Sequence, residues 1–157
     1  MNAQTLNDRV EKASELLKSV GLRRTIARIN LLQCLAAQET PATQSEISDK
    51  LSVQGFDAST IFRGLTDLTE AGLAIRIDVG DRIWRFELRD RDANGQPSER
   101  HHPHAVCLRC GRVACLPSSL AGQFDEISPD WLVSDLIVRG ICDHCQSAGC
   151  TFSRPMS

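Results

Sequence analysis

Two CxxC pairs, Cys107 with Cys110 and Cys142 with Cys145, constrain this chain more than any other feature. Each pair can turn back on itself so that both sulfurs face one point, and two such turns complete a tetrahedral thiolate shell that suits Zn2+. A closed shell offers a substrate no open position, so its task is structural: it ties the two ends of one small domain together and couples their folding to metal. The alternatives are four reduced cysteines that merely pack, two unrelated dithiols, or a redox dithiol, the last of which goes with a βαβ unit that is not visible here. The chain holds 7 cysteines, an odd number, and in a reducing compartment they serve as ligands or core residues rather than as a disulfide framework. Cys34 reads as a buried hydrophobe, Cys115 as a core residue or an additional ligand, and Cys150 as a free thiol in the tail.

The rest of the chain divides by hydrophobic period. Leu6, Val10, Ala13, Leu16, Leu17 and Val20 recur at helical spacing up to Gly21, and a second helix runs from about Thr25 to Ala37 with Ile26, Ile29, Leu32 and Leu35 on one stripe. Thr43 followed by Glu46 reads as a capping box for a third helix carrying Ile47 and Leu51, and Asp57 can cap a fourth. This fourth helix places Ile61, Leu65 and Leu68 inward and Ser59, Thr60, Arg63 and Asp67 outward, ending at Gly72. The period then changes to two: Leu73 to Val79, the turn pair Gly80 and Asp81, and Arg82 to Leu88 with Trp84, Phe86 and Leu88 alternating predict a β-hairpin. Helices closed by a hairpin follow the order of a winged helix-turn-helix. The expected fold is α+β, with this winged helix over residues 1–88, a polar linker over 89–100, a small α/β zinc-binding domain over 101–146, and a disordered tail over 147–157. In the second domain short apolar segments stand at Ala105 to Leu108 and Val113 to Leu116, a helix starts at about Ser118, and a strand is expected at Trp131 to Val138. So small a core makes a metal staple and a partner subunit expected supports.

Charge excludes less than it suggests. With 18 Lys and Arg against 20 Asp and Glu the formal net charge is −2, so any DNA binding rests on local patches. One such patch is Lys18, Arg23, Arg24 and Arg28, in a stretch free of acidic residues between Glu15 and Glu39, which can hold phosphates; a merely solvated helix face is the alternative. No apolar run is long enough to cross a bilayer and no signal peptide opens the chain, which predicts a soluble cytoplasmic protein with no membrane partner. Enzyme motifs are missing too: there is no HExxH, and no HxE precedes a PCxxC, so neither catalysis nor a small-molecule substrate is expected.

Beside the first CxxC pair lies His101-His102-Pro103-His104. In an extended segment His102 and His104 point to one side and can chelate one ion together. The segments GLRRTIARINLL from Gly21, STIFRGLTDLTEAGL from Ser59, Phe86-Glu87-Leu88, HHPHAVCLRCGRV from His101 and GICDHC from Gly140 together resemble the ferric uptake regulator (Fur) family, over roughly Val20 to Cys145. The resemblance implies a homodimeric, metal-responsive transcriptional repressor, with a winged helix for double-stranded DNA and a C-terminal dimerisation domain. It assigns DNA contacts to the Lys18 to Arg28 region and to the fourth helix, where Arg63 stands first, beside Ser59 and Thr60, and Phe62 replaces the family's usual tyrosine. Gly64 in that helix costs about 1 kcal/mol relative to alanine, which close approach to the DNA backbone would explain.

The resemblance also implies a sensing site at the hinge, to which Glu87, His102 and His104 supply three ligands. The family histidine expected near the third helix falls at about Pro41. A second site is reduced to His101, since Pro103, Gly122 and Ser134 stand where ligands are expected; Cys115, Asp125 or Glu126 could substitute only if folding brings them near. Three N/O ligands hold Zn2+, Fe2+ or Mn2+ without naming which. The rival reading is a constitutive winged-helix plus zinc-ribbon transcription factor, which has no use for Glu87, His102 and His104.

Overall fold

The computed structural model describes residues 3–91, 102–120, 122–123, 130 and 135–149, with side chains described from residue 7 onward. The chain forms two compact units, Met1–Ser98 and Glu99–Ser157. In the first, α1 (Ala3–Ser19), α2 (Ile26–Ala36), α3 (Gln44–Ser52) and α4 (Ala58–Glu70) are followed by a hairpin of β2 (Ala74–Asp78) and β3 (Trp84–Leu88). Both caps expected from the sequence, at Thr43 and Asp57, form, and Thr25 supplies a third. The Thr25 hydroxyl accepts the Arg28 N–H, Thr43 and Glu46 close a reciprocal capping box, and the Asp57 carboxylate accepts the Thr60 N–H at 2.8 Å. These N–H groups hold the Glu46 and Asp57 carboxyls below their ordinary range, as expected for anions at helix N-termini.

Leu17, Leu31, Ile47, Ile61, Leu65 and Leu68 are fully buried and form the centre of this unit, with Leu35, Leu51, Leu73 and Phe86 around them. On α2 the expected stripe holds at Ile29, Leu32 and Leu35, which pack into the core with Leu31 added to them, while Ile26, next to the Thr25 cap, is 74% exposed. The sheet also has a strand that the sequence did not announce. Ala42 and Thr43 form β1, which pairs with Phe86 and Arg85, so the order is β1-β3-β2. Two residues carry no readable period, and pairing alone makes them a strand.

The hairpin turn is longer than the expected Gly80-Asp81 pair. Asp78 and Trp84 are the last register partners, and the five-residue connection 79–83 has Gly80 and Arg82 at positive φ. Two carboxylates shape it: Asp78 accepts the Gly80 N–H at 2.7 Å, and Asp81 accepts the Ile83 N–H and pairs with Arg85 at 2.7 Å. The Asp81 pairing lets the Arg85 guanidinium lie buried, while Trp84 is 44% exposed under the Arg76 guanidinium, 3.9 Å from its ring centroid. The Arg76 cation covers the indole face, so this ring is satisfied at the surface.

Gly64 has a different cause from the one the sequence suggested. It is buried, and a Cβ there would collide with Leu31 Cδ1 of α2; glycine serves close approach of α4 to α2, not to DNA. Gly64→Ala gains about 1 kcal/mol of helix propensity but overpacks a fully buried neighbour at about 1–3 kcal/mol. The expected outcome is a net loss near 1 kcal/mol, read as a fall in Tm of about 5 °C; an unchanged or raised Tm would contradict this packing role.

The second unit contains β4 (His104–Cys107), β5 (Val113–Cys115), β6 (Ile137–Gly140) and α5 (Asp143–Ser147), with sheet order β5-β4-β6. β4 runs antiparallel to β5 and parallel to β6. Val106 and Val113, register partners, are its buried valines. The strand expected from Trp131 is found at Ile137–Gly140; residues 131–134 lie outside the described residues, as does most of the helix expected after Ser118. Ser147, where the tail was expected to begin, closes α5, while residues 150–157 lie outside the described residues.

Candidate metal centres and nucleic-acid surface

Strand pairing brings the two CxxC turns together. Cys107 ends β4 beside Gly140, the last residue of β6, and Cys142 follows two residues later as the N-cap of α5. The Leu108 N–H donates to the Gly140 carbonyl at 2.8 Å, and the Gly111 N–H donates to the Cys107 carbonyl at 2.9 Å, closing the first turn. The sulfurs of Cys107, Cys110, Cys142 and Cys145 lie within 4.8 Å of one another, with Cys110 and Cys142 at 3.7 Å. Cys107 and Cys145 are buried.

The chemistry of the donors fits a cation. The Cys107 thiol is lowered to about 6, chiefly by N–H groups of Cys142 and Cys110 aimed at its sulfur. Cys145 is pushed up to about 12, first by burial and then by the neighbouring thiols. One thiol is thus prepared as a thiolate while its neighbour is held protonated, because four clustered sulfurs cannot all ionise without a positive charge among them. A Zn2+ ion supplies that charge in tetrahedral S4 geometry. No open position is left for catalysis.

A second group of donors lies in the same unit. His102, His104 and Cys115 bring their ligand atoms within 4.8 Å of one another, and the two imidazole centroids are 4.7 Å apart. Cys115 thus stands beside the histidines. Glu87, in the first unit, is a buried carboxylate on β3, opposite Ile75 of β2. His101, Asp125 and Glu126 lie outside the described residues. Gly122 is exposed, and Asp143 pairs with Arg112 at 3.4 Å.

On α4, Ser59, Phe62 and Arg63 are exposed and share a depression with Gln44 of α3 and Ala58. Phe62 is 54% exposed, an aromatic ring that the helix does not bury. Thr60 is only half exposed and its hydroxyl donates to Asp57 at 2.8 Å, which makes it part of the cap. Arg28 and Asp67 form a pair that the sequence does not show. The Arg28 guanidinium donates twice to Asp67, at 2.6 and 3.2 Å, and once to the Arg23 carbonyl. Arg28 thus joins α2 to α4, with the part-exposed Asp67 as its partner. Lys18, Arg23 and Arg24 remain exposed. Signal for the Arg28 pairing existed in the sequence only as two opposite charges on two helices, with nothing to fix their relative rotation.

Comparison with known proteins agrees with these units. The profile of the ferric uptake regulator family matches residues 19–127. The ferric uptake regulation protein of Legionella pneumophila is 30% identical over 141 residues, covering 85% of this chain and 98% of the relative. The peroxide-responsive repressor PerR of Staphylococcus aureus is 21% identical over 150 residues, covering 91% and 95%. Among solved structures, the Vibrio cholerae ferric uptake regulator, whose DNA-binding domains undergo a structural rearrangement, superposes with a TM-score of 0.63 at 26% identity, covering 82% of this chain and 98% of that one. Among the described residues no helix is long and apolar enough to cross a membrane. With its winged helix-turn-helix, four-thiolate cluster and separate histidine group, the chain belongs to the ferric uptake regulator family, a family of metal-responsive transcription regulators rather than enzymes.

Proposed function

We propose that this protein is a cytoplasmic, metal-dependent repressor that binds pseudo-palindromic operators in duplex DNA as a homodimer. The observation that carries the reading is the presence, in one chain, of an exposed α4 face and a histidine-based donor group apart from the four-cysteine cluster. A permanently active DNA-binding protein needs the cluster but not the second donor group. The repressor sense comes from the relationship to PerR and the ferric uptake regulation proteins.

In this reading Zn2+ in the four thiolates keeps the second unit folded. A second divalent metal, Zn2+, Fe2+ or Mn2+, is held by His102 and His104, with Glu87 as a ligand from the wing strand. Glu87 enters because the family resemblance places a ligand there and because a buried carboxylate suits a cation. Bound metal favours the dimer whose α4 helices match the operator, in proportion to its extra affinity for that state. The extra affinity is what makes DNA binding metal-dependent.

On DNA, Arg63 is the principal contact, reaching a phosphate or a guanine edge, with Ser59 beside it and Phe62 against a thymine methyl. Lys18, Arg23 and Arg24 hold the backbone. Selection from random duplex DNA with metal-loaded protein is expected to enrich an inverted repeat, as two symmetric helices require. Arg63→Ala should weaken binding to that sequence by about 10- to 100-fold without changing Tm. Failure to enrich any duplex sequence would overturn the reading.

A further inference from the structure

His102, His104 and Cys115 meet through strand register. His104 opens β4, Cys115 closes β5, and the two are antiparallel partners, so their side chains leave the same face of the sheet with Cβ atoms about 5 Å apart. His102, two residues earlier, leaves on that side as well, its ring tilted 49° to that of His104. Backbone bonds hold this frame: the Leu116 N–H donates to the Pro103 carbonyl at 2.8 Å, and the His104 N–H donates to the Leu136 carbonyl at 3.0 Å. Pro103, between the histidines, is fully buried. In a tetrahedral zinc site neighbouring nitrogen and sulfur donors sit about 3.3 to 3.6 Å apart. Donors already within 4.8 Å of one another reach that spacing by small side-chain rotations.

We propose that Cys115 binds the responsive metal as a thiolate and makes this site prefer Zn2+ to Fe2+ and Mn2+. The inference rests on the reading of the second donor group as the metal-sensing centre, and adds a donor and a metal to it. Two imidazoles and a thiolate form a soft to borderline set. Zinc accepts it readily in tetrahedral geometry, whereas Mn2+ draws its affinity from carboxylate and water oxygens and stands lowest among divalent first-row ions at such ligands. On binding, the Cys115 thiol releases its proton to solvent, the S–Zn bond forms as a water leaves the ion, and nothing is oxidised or reduced. The two donor groups share no residue, so Cys115 can respond to metal while the four-cysteine cluster keeps its own zinc.

The test uses the full chain carrying zinc in that cluster. Added Co2+ is expected to give wild-type protein a sulfur-to-cobalt charge-transfer band that Cys115→Ser lacks. The ratio of zinc to manganese affinity, measured by competition, should fall about tenfold or more in the variant. A third arm needs no variant: Zn2+ is expected to protect Cys115 of the wild-type chain from iodoacetamide, read by peptide mass, at concentrations where Mn2+ does not. A metal bound at His102 and His104 with no sulfur band, and with Cys115 alkylated equally with and without zinc, overturns the inference and leaves metal sensing intact. No second metal bound under any condition overturns both.

Discussion

Cys142→Ser is expected to lose the tightly held zinc and to unfold the second unit while α1 to α4 stay folded. Among the described residues the unit has little else to hold it. Its buried apolar side chains include Val106 and Val113, and two more of its buried residues, Cys107 and Cys145, are themselves ligands. Small domains of this kind lean on metal, and apparent binding energies for structural zinc of about 10–16 kcal/mol match or exceed the whole stability of an ordinary domain, about 5–15 kcal/mol. Removing Cys142 Sγ removes a sulfur 3.7 Å from that of Cys110 and leaves the cluster one ligand short. Metal analysis should find less than one zinc per chain, and hydrogen exchange should show β4, β5 and β6 unprotected with the first unit unchanged. A variant with native protection in those strands would mean the thiols are packing groups rather than ligands.

Replacing both His102 and His104 by alanine is expected to abolish the response of DNA binding to metal while the cluster zinc stays in place. Moving a two-state equilibrium from about 1:99 to 99:1 requires about 5.5 kcal/mol of differential ligand affinity. The two imidazoles are neighbouring donors on one short segment, and removing both takes away the chelating pair on which that difference rests. The double variant should bind duplex DNA with one affinity whatever the free metal concentration, and should still contain one zinc. A metal response equal to that of the wild type would place sensing elsewhere.

The sequence made the local features of this protein readable and left the long-range ones dark. Thr25, Thr43 and Asp57 cap helices as their types and positions demand, and each CxxC pair closes as a short turn with its own geometry, though the pairing of β4 with β6 is what brings the two turns together. Tertiary pairing settles the rest. Nothing in the one-dimensional pattern rotates α2 so that Leu31 and not Ile26 lies inside, or pairs Arg28 with Asp67. The helix penalty of Gly64 is legible in the sequence, but only the position of Leu31 explains it. Cys115 was ambiguous for the same reason: its partner His104 is set by strand register, and register is invisible until the strands are paired.

The most direct test of the central claim is DNA binding by purified protein before and after mild chelation that spares the thiolate zinc, with metal content measured alongside. The account predicts about one zinc per chain that resists removal and a second metal whose loss switches DNA binding off and whose return restores it. DNA binding that persists unchanged when only the tight zinc remains would contradict metal sensing and leave a constitutive DNA-binding protein.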